Sequence, residues 1–222
     1  MISLEKKFLF VHVPKTGGNS IQGILKQYSE DEIFLRSDYM DGVQNFDLRS
    51  RKYDIEKHSN LSHYQHVIEP EAYRSLYKFA TIRNPWDKLI SFCFSPHRTH
   101  RGNSEWDRDT FIRIIRKVRP LRYYICERSL PDKILEKFWA GIGRKGSIGV
   151  RNLDNDLDFL IRFERIDEDF KVLCDRLGID RVSLPKRNAS KRGHYRDYYD
   201  DELKAMVSEK FAEEIRLGDY SF

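Results

Sequence analysis

Two short stretches of the chain carry residue types suited to holding phosphate. The first, Val13-Pro14-Lys15-Thr16-Gly17-Gly18-Asn19-Ser20, ends an apolar run and leads into a helical pattern. A strand, a glycine turn and a helix N-terminus together offer free backbone N–H groups and the positive end of a dipole to an anion. Gly17 and Gly18 permit close approach of the backbone. Thr16, Asn19 and Ser20 add side-chain donors, and Lys15 adds a point charge. In a Walker A loop the lysine follows the glycines, whereas Lys15 precedes them, so the stretch is not that motif. Most Gly-Gly turns with a nearby lysine are ordinary turns; the length and context of this one set it apart.

The second stretch is Phe79-Ala-Thr-Ile-Arg83-Asn84-Pro85-Trp86-Asp87-Lys-Leu-Ile-Ser91. Arg83 ends an apolar run. Asn84 is a helix cap, Pro85 suits the first helical position, and Asp87 completes an N-terminal signature. At ~3.6 residues per turn, Ser91 lies almost two turns into this helix and returns to the side of Arg83. An arginine and a serine so placed can converge on one phosphate, the arginine bidentately. Taken alone, such a pair is more often structural.

Together, in this order and each at a strand-to-helix junction, the two stretches resemble the nucleotide site of sulfotransferases that use 3′-phosphoadenosine 5′-phosphosulfate (PAPS). The likeness is greatest to the carbohydrate-type branch, in which His-x-Pro-Lys-Thr-Gly-Gly ends the first strand. The resemblance implies that Lys15 contacts the phosphosulfate bridge, with Thr16, Gly17, Gly18, Asn19 and Ser20 lining the 5′ site. It also implies that Arg83 and Ser91 hold the 3′-phosphate. A looser match at 185–199 implies that Lys191 and Arg192 help close over the nucleotide. Arg144-Lys145-Gly146 matches a small-molecule sulfotransferase element only superficially, because it precedes the third strand. Arg162-Phe163-Glu164 matches the carbohydrate-type pattern and reads as scaffold.

A sugar hydroxyl is a poor nucleophile near pH 7, so transfer to it needs a positioned base, for which histidine is best suited. Of seven histidines, His12 sits in the first strand and reads as structural. His58, His63 and His66 fall between the two phosphate stretches. The residues alone leave the choice among these three open. The resemblance selects His58, in Lys57-His58-Ser59, with His63 next and His66 last. No cluster of ligating side chains calls for a metal, since lysine and helix dipoles supply the positive charge.

Three apolar runs, at 7–13, 77–83 and 159–163, are each followed by a helical pattern, the alternation of an α/β domain. The resemblance makes this a three-layer, P-loop-like fold with a central, mostly parallel sheet flanked by helices. Helices are expected at 19–28, after Asn84 as far as Pro96, at 104–118, at 167–177 with Gly178 as its stop, and at 200–217. The 104–118 helix presents Phe111, Ile114, Ile115 and Val118 on one face, with Ser104 and Asp107 as its capping box. Its basic residues, with Arg98, His100 and Arg101, could hold an acidic glycan or simply face solvent. Segments 31–66 and 140–156 read as long surface loops.

At 222 residues, 40% hydrophobic and 34% charged, the chain suits a single globular domain spanning 1–222. A formal charge of +5 and a pI near 9.0 favour an anionic ligand. Met1 leads directly into the first strand, which is expected to leave no room for a signal peptide, and no apolar run is long enough to span a membrane. Cys93, Cys126 and Cys174 fit neither a zinc site nor a disulfide framework, so a cytoplasmic location is expected. Two further readings remain. A P-loop kinase or NTPase is disfavoured by the misplaced lysine and by the lack of a magnesium-binding acid after the second strand. A non-catalytic nucleotide- or nucleic-acid-binding protein is permitted by the charge, yet no nucleic-acid motif is present.

Overall fold

The computed structural model describes residues 1–38, 44–95, 106–127, 156–185 and 192–222. The chain opens with β1 (Ile2–Ser3) and β2 (Phe8–Val11), then passes through the glycine turn into α1 (Gly18–Leu25). All four residues of β2 are buried, as a strand covered on both faces requires. Residues 31–66, expected to be loop, instead form an antiparallel ribbon, β3 (Asp31–Asp38) with β4 (Gln44–Ser50), and then helix α2 (Leu61–Val67). The ribbon forms a ladder of its own, separate from that of the central sheet, and joins the core chiefly through Leu48 and through Asp31, which accepts the Ile2 N–H at 2.8 Å. Its polar residues therefore hide a strand pattern that burial would otherwise have imposed.

Helix α3 (Pro70–Ser75) leads into β5 (Tyr77–Ile82), and α4 (Pro85–Cys93) follows at once. Next come α5 (Arg108–Lys117) and α6 (Leu121–Ile125), then β6 (Phe159–Arg162) and α7 (Ile166–Leu177). Asp107 caps α5, accepting from the Thr110 N–H at 2.7 Å; Ser104, the other member of the expected box, lies outside the described residues. Gly178 ends α7 in the left-handed conformation (φ +62°), as its position predicts. The expected helix at 200–217 is two, α8 (Asp201–Lys210) and α9 (Ala212–Gly218), divided at Phe211.

Among the described residues, the central sheet runs β1-β2-β5-β6, with β2, β5 and β6 parallel and β1 antiparallel at the edge. Val11 pairs with Ala80, and Ile82 with Arg162, so the three parallel strands end side by side. The turns after them, at 12–17, 83–84 and 163–165, consequently share one edge of the sheet, the usual ligand side of such a fold. Helices flank the sheet. One apolar cluster joins β2 and β5 to α1, α2, α6 and α7, with Phe10 stacked on Phe79 at 5.2 Å. A second joins α4, α5 and α8 through Trp86, Leu89, Phe111, Ile115 and Val207. Phe111, Ile114 and Ile115 are buried, as the helical spacing predicts, and Val118 packs beside them.

Lys88 and Glu214 form an ion pair, 1% and 2% exposed, between α4 and α9. The other Glu214 oxygen accepts the Leu121 N–H at 2.7 Å, and the Lys88 ammonium lies 4.8 Å from the Phe211 ring. Removing one partner strands the other charge in the interior. Lys88→Met is expected to cost about 3–5 kcal/mol in urea unfolding, and Lys88→Met with Glu214→Gln is expected to regain much of it. An unchanged midpoint in the single variant would contradict the structural role.

Candidate active site

The glycines of the first turn serve the fold's own packing. Gly17 is left-handed (φ +85°), and a Cβ there would lie 2.7 Å from Ile166 Cδ1 and 3.0 Å from the Phe163 ring. A Cβ on Gly18 would lie 2.4 Å from the His12 ring. One glycine seats the turn against the end of β6; the other seats it on a histidine of β2's extension. Lys15 also has a positive φ, +65°, a conformation that costs a non-glycine residue of order 1–3 kcal/mol and needs support from its surroundings. The N–H groups of Gly17, Gly18 and Asn19 donate to nothing among the described residues, which leaves them available to an anion.

Of the expected side-chain donors, two turn inward. The Thr16 hydroxyl is buried, donating to the Val13 carbonyl at 2.7 Å and touching the Thr81 hydroxyl of β5. The Ser20 hydroxyl donates to the Pro185 carbonyl at 2.7 Å. Both fasten the turn, so an anion would meet the backbone of this turn and not these two hydroxyls. Asn19 is half-buried with no side-chain bond among the described residues.

Arg83 is buried, and each of the three nitrogens of its guanidinium makes a hydrogen bond. Nε donates to Asp87 Oδ2 at 2.8 Å, Nη2 joins the same oxygen, and Nη1 donates to the Lys15 carbonyl at 3.0 Å. The Phe163 ring lies beneath it, 3.9 Å away. The second Asp87 oxygen accepts from Arg192. Arg83 and Arg192 are thus brought together on one carboxylate, and Arg83 ties the second motif to the first. Ser91 is buried on α4, and its hydroxyl makes no hydrogen bond among the described residues. Asn84 caps α4 through the Trp86 and Asp87 N–H groups. Its own N–H goes to Glu164 at 2.8 Å, so Asp87 does not close the cap as its spacing suggests. The other Glu164 oxygen accepts from Tyr220 at 2.9 Å, which makes Glu164 the scaffold residue expected of it.

Lys15 Nζ donates to Ser95 Oγ at 3.3 Å, just past the end of α4. Burial lowers its pKa to about 8, and Arg83, Arg192 and Lys57 push in the same direction. All three charges acting on this ammonium are therefore positive. At Asp87, burial would raise the pKa, but the two arginines outweigh it and hold the carboxyl below its ordinary value. The region is a partly desolvated cluster of cations built around one acid.

His58 stands beside the same turn. Its Nδ1 lies 3.0 Å from the His12 carbonyl, and its ring meets the His12 ring edge-on at 4.7 Å between centroids. A ring N–H facing a carbonyl must be the donor, which leaves Nε2 as the basic nitrogen. Desolvation by its neighbours lowers the His58 pKa below the ordinary 6.5, with Lys57 adding to the effect, although the residue keeps an exposed side. His12 is buried against Gln22, 2.7 Å away, and is structural as expected. His63 turns to the Asp54 carbonyl at 2.5 Å, and His66 is exposed near the end of α2; neither touches the turn among the described residues.

Lys191 and Arg144-Lys145-Gly146 lie outside the described residues, as do Arg98, His100 and Arg101. The chain on either side of 186–191 is nonetheless fastened at both motifs, Pro185 to Ser20 and Arg192 to Asp87. Asp87, Lys57 and Thr81 are the site residues that sequence reasoning missed. Asp87 lies four residues from Arg83, a spacing at which an acid faces its arginine on a helix, and that signal was available. The described residues contain no group of three potential metal ligands.

Residues 1–142 match the protein-family model described as "Sulfotransferase family", and the chain belongs to that family. Among solved structures it is similar to the crystal structure of a sulfotransferase from Alicyclobacillus acidocaldarius, at 17% identity and a TM-score of 0.31. That match covers 68% of this chain and 58% of the other, so the chain spans little more than half of that protein. No curated protein matches the chain.

Gly18→Ala is expected to drive a methyl group into the His12 ring and to destabilise the fold by about 1–3 kcal/mol in denaturant unfolding. It should also displace His58 from the His12 carbonyl, visible as a changed imidazole titration by NMR. A variant with native stability and an unaltered His58 titration would show that the contact is slack.

Proposed function

We propose that the protein transfers a sulfuryl group from PAPS to a hydroxyl of a carbohydrate acceptor, an oligosaccharide, polysaccharide or glycolipid. The observation that carries this reading is the cation cluster of Lys15, Lys57, Arg83 and Arg192, placed where free N–H groups of the glycine turn meet the end of β5. Such a site suits a ligand with two phosphate positions. When bound, PAPS supplies an activated sulfuryl group. In this reading Lys15 neutralises charge on the bridging oxygen, and the glycine-turn amides receive the 5′-phosphate. Arg83 and Arg192 serve the 3′-phosphate, which would replace Asp87 as their partner or share them with it. His58 Nε2 takes the acceptor proton as the acceptor oxygen bonds to sulfur; the sulfur–oxygen bond to the phosphate breaks, and its electron pair leaves with that phosphate. A cytoplasmic location fits the three cysteines, Cys93, Cys126 and Cys174, none of which forms a disulfide among the described residues. No described helix is long and apolar enough to cross a membrane.

Transfer of labelled sulfate from PAPS to a glycan panel tests the reading. His58→Ala is expected to retain nucleotide binding and lose ~10²–10⁴-fold in transfer rate; transfer at the native rate would remove His58 as the base. Because the active form of His58 is neutral and its pKa is lowered, the rate should stay level as pH falls until below 6.5. Lys15 behaves oppositely. Bound phosphate favours its charged form, raising its pKa above the free value of about 8. Adenosine 3′,5′-bisphosphate should therefore bind with full affinity below that pH and progressively more weakly above it, taking up a proton as it binds. A calorimetric affinity independent of pH between 7 and 10 would contradict the role of Lys15.

A further inference from the structure

The glycine turn has an apolar neighbour. Val13 and Pro14, Phe92 of α4, Ile114 of α5, Val118 and Tyr124 of α6 line a cavity of about 250 Å³. Pro14 is bonded to Lys15, and the Lys15 ammonium rests on Ser95, three residues beyond Phe92. The cavity and the ammonium consequently share the end of α4. Lys117 and Arg119 also line the cavity, and both residues are exposed. Elsewhere on α5, Arg108 pairs with Asp200 and Glu202, and Arg113 lies 3.9 Å from Asp107. Lys117 has no carboxylate partner among the described residues, and Arg119 lies over the Tyr123 ring at 3.8 Å. The Tyr124 hydroxyl likewise has no hydrogen-bond partner among them. A packing defect between α4 and α5 would call for neither the cations nor an unspent hydroxyl.

We propose that this cavity is the acceptor pocket, and that it takes an aromatic group bearing an acidic substituent; the assignment of the cavity to the acceptor rests on the sulfuryl-transfer reading above. An apolar protein cavity of ~150 Å³ accommodates benzene, so the space here suits one to two rings. The ring system fills the apolar walls, its acid meets Lys117 and Arg119, and Tyr124 donates to a polar edge. The hydroxyl to be modified, on the attached sugar, projects past Pro14 toward Lys15. The aryl-acid part thereby supplies binding area and orientation that a small sugar alone would lack.

The probe is 2-naphthoate, titrated by calorimetry into the protein with and without adenosine 3′,5′-bisphosphate. Binding to the native protein is expected, with an affinity lowered at least about tenfold by Val118→Trp, which fills the space. Lys117→Ala with Arg119→Ala should weaken 2-naphthoate by a similar factor and leave uncharged 2-naphthalenemethanol unaffected. All these variants should bind the bisphosphate as the native protein does. Absence of 2-naphthoate binding while the bisphosphate binds would overturn the pocket and spare the function. Failure of the bisphosphate to bind would overturn the function, and 2-naphthoate would still report on the cavity. Decanoate binding more tightly than 2-naphthoate would overturn the aromatic assignment in favour of a lipid chain.

Discussion

The Asp87 carboxylate holds the site together. Its two oxygens take Arg83 from the end of β5 and Arg192 from the C-terminal segment, while Arg83 reaches the Lys15 carbonyl of the glycine turn. Three segments far apart in sequence meet through one acid. Without a counter-charge, these guanidinium groups and the Lys15 ammonium would repel one another in a partly desolvated setting, where such repulsion is strong. One carboxylate steadies the arginines yet leaves Lys15 with only cations acting on it, and its pKa is lowered first by burial and further by those cations. The arrangement is stable enough to fold and still short of negative charge. That shortage is what a phosphate would make good.

The glycine turn is supported in the same economical way. Thr16 and Ser20, which look like ligand donors, bind the turn to Thr81 and to Pro185. The strain of a left-handed Lys15 is carried by these fastenings and by Arg83. Backbone N–H groups, one lysine and one neutral histidine are then left facing the same region, each with a distinct task. His58 owes its usable nitrogen to a main-chain carbonyl of the residue that also cushions Gly18. The phosphate turn and the candidate base are therefore coupled through His12.

The parallel strands were readable because burial on both faces forces continuous apolar runs, as in Phe8-Leu-Phe-Val11. The inward face of α5 was readable because Phe111, Ile114 and Ile115 keep helical spacing. The β3–β4 ribbon was not, since a two-stranded ribbon outside the central sheet can be largely polar, with Glu32 paired to Arg51 on its surface. At the site, Lys15, Arg83 and His58 were legible as residue types in a motif. Their partners were not. Nothing local says that Arg192 reaches Asp87 across 105 positions, or that the Ser20 hydroxyl is spent on a carbonyl 165 residues away. Long-range hydrogen bonds carry no short-range signature, and they decide which donors remain for a ligand.

The most direct measurement is calorimetric binding of adenosine 3′,5′-bisphosphate, AMP and ATP to the protein in the presence of EDTA, repeated with magnesium. The site described here predicts that the bisphosphate binds without metal, that AMP, lacking the 3′-phosphate, binds far more weakly, and that Arg83→Ala removes most of that difference. Tighter binding of ATP with magnesium than of the bisphosphate, or equal affinity for the bisphosphate and AMP, would contradict it.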